Sequence, residues 1–391
     1  MRSEWRKVPL SDVANLTVGF VGTMASEYTS DGVTFIRSLN VHPFRIDLTN
    51  VKYISEGFHN KISKSALFPD DVVIVRTGQP GASAVVPQNC GPLNCSDLVI
   101  IHPDKSKIDP LFLAAYINWS SRIVNANLVG AVQQHFNVGA AKKMIMNIPD
   151  LETQKRISAI LGAINDKIEL DNRINENLEQ QIEALYKSWF VEFEPFDGSA
   201  PLNWEKNDIY SIARIIYGAP FSSKLFNTEG NGLPIIRIRD LKDQTFVTYT
   251  TEQHPKAYLI KPGDIVVGMD GEFRPYLWGN SEALLNQRVC VFENLRVNGK
   301  AFLLCTLKPL LYRIEQTQVA TTVIHIGKKD YDAFELLLPD SNTLDKFDDI
   351  TSPMIDLIVK NRLENKRLAS VRDTLLPKLM SGELDLSAFD L

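Results

Sequence analysis

Cysteine is scarce, and what there is lacks pattern. Cys90, Cys95, Cys290 and Cys305 have neither the number nor the spacing of a disulfide framework or a zinc site. The histidines (His42, His59, His102, His135, His254 and His325) are scattered without ligand spacing, so no metal is expected. No apolar run approaches the roughly 20 residues of a membrane span. The opening MRSEWRKVPL is charged and lacks the apolar centre of a signal peptide, so a cytoplasmic location is expected. There is no Walker-type phosphate loop and no glycine-rich cofactor loop between a strand and a helix; Gly230-Asn231-Gly232 reads as a turn. A basic excess is also missing. The 42 Lys and Arg face 47 Asp and Glu, a net charge of −5, which excludes a generic nucleic-acid binder held by charge alone.

The acid is unevenly placed. Residues 1–150 hold 14 basic and 12 acidic side chains, whereas residues 151–199 hold 5 and 10. Residues 200–340 balance at 16 and 16. The two large blocks are therefore neutral or slightly basic. They suit specific DNA binding with little counterion-release affinity of their own, in which case a partner supplies many phosphate contacts.

What the chain does contain is itself, twice. Trp5 and Trp204, Ala14 and Ala213, and Gly19 and Gly218 are each 199 residues apart. GVTFIRSLNV from Gly32 matches GLPIIRIRDL from Gly232, FPDDVVIV from Phe68 matches KPGDIVVG from Lys261, and NIPD from Asn147 matches LLPD from Leu337. An offset drifting from 199 toward 190 is what loop insertions leave behind a tandem duplication. Each copy reads as short β-branched strands bounded by turn residues, then a helix, then a long rod. The expected fold class is α+β, with two pseudo-twofold-related globular α/β lobes separated by an antiparallel coiled coil of two long helices. The expected boundaries are 1–150 and 197–340 for the lobes, and 151–196 and 341–391 for the helical regions.

The first rod carries a seam with alternating steps of four and three: Ile157, Leu161, Ile164, Ile168, Asp171, Asn175, Leu178, Ile182, Leu185 and Trp189. Adding 190 gives Phe347, Thr351, Met354, Ile358, Asn361, Asn365, Leu368, Arg372, Leu375 and Leu379, again apolar at the ends and polar in the middle. Pro353 predicts a kink or a late start for the second rod. Laid antiparallel, Asp171 faces Asn365 and Asn175 faces Asn361. These four residues are expected to fix the register, since slippage would strand amides in an apolar seam. The alternative is that they mark a place where the coil opens to solvent.

QKRISAIL, with the following NDKIELDNRINENLEQQIEALYKSWFVEFEPF, resembles the central conserved region of type I restriction–modification specificity subunits, and the terminal RDTLLPKLMSGELDL resembles their distal conserved region. The lobe-plus-rod duplication extends the likeness over nearly the whole chain. The resemblance implies a non-catalytic subunit whose lobes are target recognition domains, each reading one half of a bipartite DNA target. It implies rods that set the spacer, and two DNA adenine methyltransferase subunits bound through helical regions and lobes. Translocase/endonuclease subunits complete the enzyme. S-adenosylmethionine, ATP and Mg are implied on those partners, and none in this chain.

No catalytic residue is expected. Asn147-Ile148-Pro149-Asp150 grazes the Asn-Pro-Pro-aromatic pattern of amino-methyltransferases but lacks the second Pro and the aromatic. Pro339-Asp340 with Glu364-Asn365-Lys366 has the spacing of a PD…ExK nuclease, yet a continuous helix would hold Asp340 and Glu364 roughly 36 Å apart. The base-reading candidates are Arg37, Arg76, Thr77, Gln79, Gln133, Gln134 and His135 in the first lobe. In the second they are Arg237, Arg239, Asp270, Glu272, Arg274, Thr321 and Thr322. Arg pairs with guanine, Gln with adenine, and Asp or Glu accepts from cytosine. Ordinary surface polarity or ion pairing within a lobe is the competing account of each. For the aromatic run Trp189, Phe190, Phe193 and Phe196 the choice is core packing or methyltransferase docking. Two other functions stay open: a self-sufficient DNA methyltransferase or nuclease, and a two-lobed coiled-coil protein adaptor.

Overall fold

The structure is a computed structural model that describes residues 5–77, 80–127, 138–271, 273–317, 325–384 and 386. The chain divides into two compact units. One holds residues 1–166 with 369–391, and the other holds residues 167–368.

The first unit contains a four-stranded antiparallel sheet in the order Ser83–Val85, Val72–Val75, Leu98–Pro103, Ala14–Val18. A five-stranded sheet includes Val33–Ile36, which runs parallel to Leu93–Cys95. Arg6–Pro9 pairs with Ile145–Ile148. The second unit repeats this plan. Its four-stranded sheet is ordered Ala213–Tyr217, Val289–Asn294, Ile265–Gly268, Pro275–Leu277, and Leu233–Ile236 runs parallel to Ala283–Leu285. Glu205–Asp208 pairs with Glu335–Leu338.

The absence of alternation in the central strands has a direct cause. Val72, Ile74, Val99 and Ile101 enter a core shared with the helices. Val73, Val75, Leu98 and Ile100, on the opposite face, enter a core shared with the second sheet. In the other unit Ile265, Val267, Cys290 and Phe292 face the helices, while Val266, Val289 and Val291 face the second sheet. A strand buried on both faces carries no polar alternation. Burial pushes the Cys290 thiol up to about 12, as befits an inert core side chain.

Two repeated glycines are required by close approach. A β-carbon on Gly19 would meet Cys95 Sγ at 2.8 Å, and one on Gly218 would meet the Asn286 carbonyl oxygen at 2.1 Å. Gly19 and Gly218 donate to the carbonyls of Leu98 and Val289, locking the same crossing in both units.

The two long helices span Leu151–Phe190 and Ser341–Met380, and each gives one end to each unit. Their starts share one device. The Asp150 carboxylate accepts from the Thr153 amide at 2.8 Å and hydroxyl at 3.1 Å; Asp340 accepts from the same two groups of Thr343 at 3.1 and 2.8 Å. NIPD and LLPD are therefore helix caps, and the hydrogen bonds from Thr343 hold the Asp340 carboxyl below its usual range. The second helix runs unbroken from Ser341 through Pro353, so the late start expected from sequence does not occur. Packed side chains hold its two sides: Phe347, Ile355 and Ile358 lie in the core of the second unit.

Within the first unit, Ile157 and Leu161 of one helix share a core with Leu376, Leu379 and Met380 of the other. Arg372 donates to Asn165 Oδ1 at 3.1 Å, and its guanidinium lies 4.8 Å over the Phe44 ring. Within the second unit the aromatic run packs inward. The Phe190 ring stands 4.9 Å from Phe347, 5.0 Å from Phe302 and 5.8 Å from Trp204, and Phe193 and Phe196 flank Trp204.

In the polar layer of the second unit Asp171, Asn175 and Asn361 are buried and Asn365 is half-buried. Asn361 Nδ2 donates to Asn175 Oδ1 at 2.9 Å across the helix pair. The other expected pairing takes a different form. Asn365 Nδ2 donates to Asn172 Oδ1 at 3.0 Å and to the Ile168 carbonyl at 3.4 Å, not to Asp171. Lys167, one turn earlier on the same helix, pairs with Asp171 instead. The buried carboxylate takes the cation within its reach, and the amide finds neutral acceptors.

Removing the ring of Phe347, which is fully buried, is expected to cost about 3–5 kcal/mol. Denaturant unfolding of Phe347→Ala against the parent measures this; a loss below about 1 kcal/mol would show that these rings do not hold the helix pair.

Candidate nucleic-acid interface

In each unit the parallel strand runs into a short turn with the pattern Arg-x-x-Asx. In the first unit the turn is Arg37-Ser38-Leu39-Asn40. The buried Asn40 side chain accepts from the Arg37 amide at 3.0 Å and donates to the carbonyls of Asp47 and Asn50 at 3.2 and 3.1 Å. In the second unit it is Arg237-Ile238-Arg239-Asp240, where buried Asp240 accepts from the Arg237 amide at 3.0 Å. A buried Asx that closes its own turn fixes the backbone and turns the third residue outward.

Beside each turn lies the loop that follows the central strand. In the first unit Arg76 Nη1 pairs with Asp97 Oδ1 at 3.1 Å, and Thr77 Oγ1 donates to Asp97 Oδ2 at 2.9 Å. Ser38 Oγ contacts the Asp97 carbonyl at 3.5 Å, joining turn and loop. In the second unit Asp270 Oδ1 pairs with Arg288 Nη1 at 3.2 Å and His325 Nδ1 at 2.6 Å. The side chain of Ile238 lies over Gly268, where an added β-carbon would come within 3.4 Å of it.

The strand registers align the two surfaces residue by residue. Val75 pairs with Leu98 as Gly268 pairs with Val289. Arg76 therefore corresponds to Met269, Thr77 to Asp270, and Asp97 to Arg288. The shared scaffold carries an anion before the last central strand in one unit and a cation in the other.

The candidate arginines are mostly engaged. Arg37 Nη2 donates to the Asn50 carbonyl at 3.3 Å. Arg237 reaches Thr248 Oγ1 and stacks 5.7 Å over Phe226. Arg274 pairs with Glu315 at 2.6 Å and lies 5.9 Å over the Tyr312 ring. Arg239 is the one that extends most, its side chain 62% exposed with Nε 3.6 Å from Asp240. Gln79, Gln133, Gln134, His135, Glu272, Thr321 and Thr322 lie outside the described residues. The structure thus gathers Arg37, Arg76 and Thr77 in one unit, and Arg237, Arg239 and Asp270 in the other. It adds Asp97, Arg288 and His325, which the reading of the sequence left out. Aligning the repeat through its strands would have set Asp97 opposite Arg288.

One further cluster has the layout of a hydrolytic relay. Asp71 Oδ1 lies 2.7 Å from His102 Nδ1, and His102 Nε2 lies 3.3 Å from Thr17 Oγ1. His102 stands opposite Asn15 on the neighbouring strand, and the same place in the second unit holds Glu293 opposite Arg214, joined as an ion pair. The position carries a cross-strand polar contact in both units, which is a structural use. Among the described residues no group of three or more His, Cys, Asp or Glu side chains is placed to hold a metal ion. No helix among them is long and apolar enough to cross a membrane.

Residues 2–180 and 201–371 match the family model described as Type I restriction modification DNA specificity domain. The chain is 23% identical over 417 residues to the type I restriction enzyme MjaIX specificity subunit of Methanocaldococcus jannaschii, covering 97% of this chain and 94% of that protein. It is 22% identical over 469 residues to the HindI specificity subunit of Haemophilus influenzae, covering 98% and 100%. The crystal structure of the type I restriction–modification S subunit from M. genitalium shares the fold, with a TM-score of 0.56 at 14% identity over 97% of this chain and 96% of that one.

Burial raises the Asp240 carboxyl above its usual range, although Arg239 pulls the other way. A raised folded-state pKa means that ionisation opposes folding, so this penalty grows as pH rises through that value. Asn40 fills the same turn without charge. Asp240→Asn is therefore expected to be as stable as the parent in acid and more stable at pH 7. Thermal unfolding across pH tests this; a variant less stable than the parent at pH 7 contradicts it.

Proposed function

The chain belongs to the type I restriction–modification DNA specificity family, and from that premise we propose how it recognises DNA. Each unit reads one half of a bipartite, asymmetric target in the major groove through its turn-and-loop surface. The observation that carries this reading is one scaffold presenting two different polar surfaces. An adaptor gripping one kind of partner twice has no need to exchange Asp97 for Arg288, whereas a reader of two unlike half-sites does.

The paired helices set the spacer between half-sites and dock two methyltransferase subunits. Leu170, Ile350 and Leu357 support the docking role, because they remain exposed on the long helices of the second unit. Their partners carry the adenine methylation chemistry with S-adenosylmethionine. Translocase/endonuclease subunits add restriction with ATP and Mg. The near balance of charge in residues 1–150 and 200–340 fits a complex in which partners contribute phosphate contacts. This chain does no chemistry of its own, and the complex works in the cytoplasm.

Methylated adenines are to be mapped in a host expressing this chain with its methyltransferase. A two-part motif with a fixed gap is expected, and replacing residues 1–150 with those of a relative should change one half only. Methyl transfer by the purified chain alone would mark it as an enzyme. Failure of the complex to protect any two-part sequence would favour the adaptor.

A further inference from the structure

The repeat places Leu39 and Arg239 at one position of the scaffold. Each lies three residues beyond the end of its parallel strand, since Ile36 pairs with Cys95 as Ile236 pairs with Leu285. Each is the third residue of a turn closed by a buried Asx, 3% exposed at Asn40 and 2% at Asp240. The two outward side chains share almost no chemistry. Leu39 is 78% exposed, on a turn whose hydrogen bonds leave it little freedom to fold inward. At the equivalent position of the other unit Arg239 extends to solvent, with a planar fork of donors.

An exposed leucine contributes nothing to its own core, and in isolation it needs no explanation. Here it stands on a rigid turn joined to the Asp97 loop through Ser38, and its counterpart is a cation. The groove edge of DNA offers a partner for each. Thymine presents an apolar 5-methyl group, and guanine presents O6 and N7, which accept two hydrogen bonds from one guanidinium. Both demand that the side chain be held in place before binding, which the buried Asx supplies.

We infer that Leu39 and Arg239 are equivalent specificity-determining residues, Leu39 taking a thymine methyl in one half-site and Arg239 a guanine edge in the other. This rests on the proposed reading of DNA by the two units, and it adds which side chain selects one base in each half. It also predicts that giving one position the other's residue changes the chemistry at one defined base of its own half without touching the other half.

The test uses the full chain assembled with its methyltransferase, carrying Leu39→Ser, Leu39→Arg, Arg239→Lys or Arg239→Leu. Methylation rates are measured on duplexes that vary one base pair at a time through the motif mapped for the parent. Leu39→Ser should lower discrimination for A·T at one position of the first half-site, and Arg239→Lys should lower it for G·C at one position of the second. The expected change is about fivefold to a hundredfold in each case, with the opposite half unchanged. Leu39→Arg should shift the preferred pair at its position toward G·C. Unfolding midpoints equal to the parent's are expected for the Leu39 variants and for Arg239→Lys, which keeps the charge, whereas Arg239→Leu removes the cation beside buried Asp240 and is expected to lower the midpoint. An unchanged motif in all four variants overturns the inference. So does a loss that is equal for every base at the position, which would make Leu39 a wedge or a backbone contact. If the parent complex yields no two-part motif, the reading of DNA by the two units fails first, and the two failures are told apart.

Discussion

Leu376, Leu379 and Met380, from the end of the distal helix, lie in the core of a unit whose sheets come from the first part of the chain. Conversely, Ile182 of the central helix joins a core built mostly from residues beyond 200. Neither unit buries its apolar surface with its own lobe alone. Each fully buried Leu or Ile contributes on the order of 1.5–3 kcal/mol, so a handful of such side chains equals the whole stability of a typical domain. The helix pairing is therefore a condition for folding both lobes. The Asn361–Asn175 hydrogen bond lies within that pairing, where a slipped register would leave two buried amides unpaired.

A scaffold enforced this strongly leaves its outer loops free to vary. The repeated glycines Gly19 and Gly218, the Asp150 and Asp340 caps, and the Asx of each turn recur because backbone geometry demands them. The side chains above them differ: Thr77 against Asp270, Asp97 against Arg288, Leu39 against Arg239. Variation concentrated over a constant frame is what recognition of two unlike half-sites requires. On the proposed reading, the ion pairs on these loops would keep cations oriented before DNA arrives, at the cost of having to be shared or broken when it does.

Much of the frame was legible in the sequence. The duplication, both long helices and the strands at Val72–Val75 and Ile265–Val267 follow from matching segments, from the helical seam and from β-branched runs bounded by turn residues. The polar centre of the seam was visible too, but not its wiring. Whether Asp171 meets Asn365 or Lys167 depends on which group lies within hydrogen-bond reach, and a heptad pattern does not carry that information. Pro353 does not delay its helix, for a related reason: tertiary packing on both sides of it outweighs one missing hydrogen bond. The surface was read only in part. Arg76 and Thr77 stand out as polar residues in a loop, whereas their common acceptor Asp97 is twenty residues away and is joined to them only by strand pairing. Leu39 gave no signal at all, because an apolar residue after a strand reads as core until its exposure is known.

The most direct measurement is a structure of this chain with its methyltransferase on DNA carrying the methylated target. The account predicts that the turns at Arg37–Asn40 and Arg237–Asp240, with the loops beside them, face base edges, one in each half of the site. Bases met by other surfaces, with both turns directed away from the DNA, would contradict it.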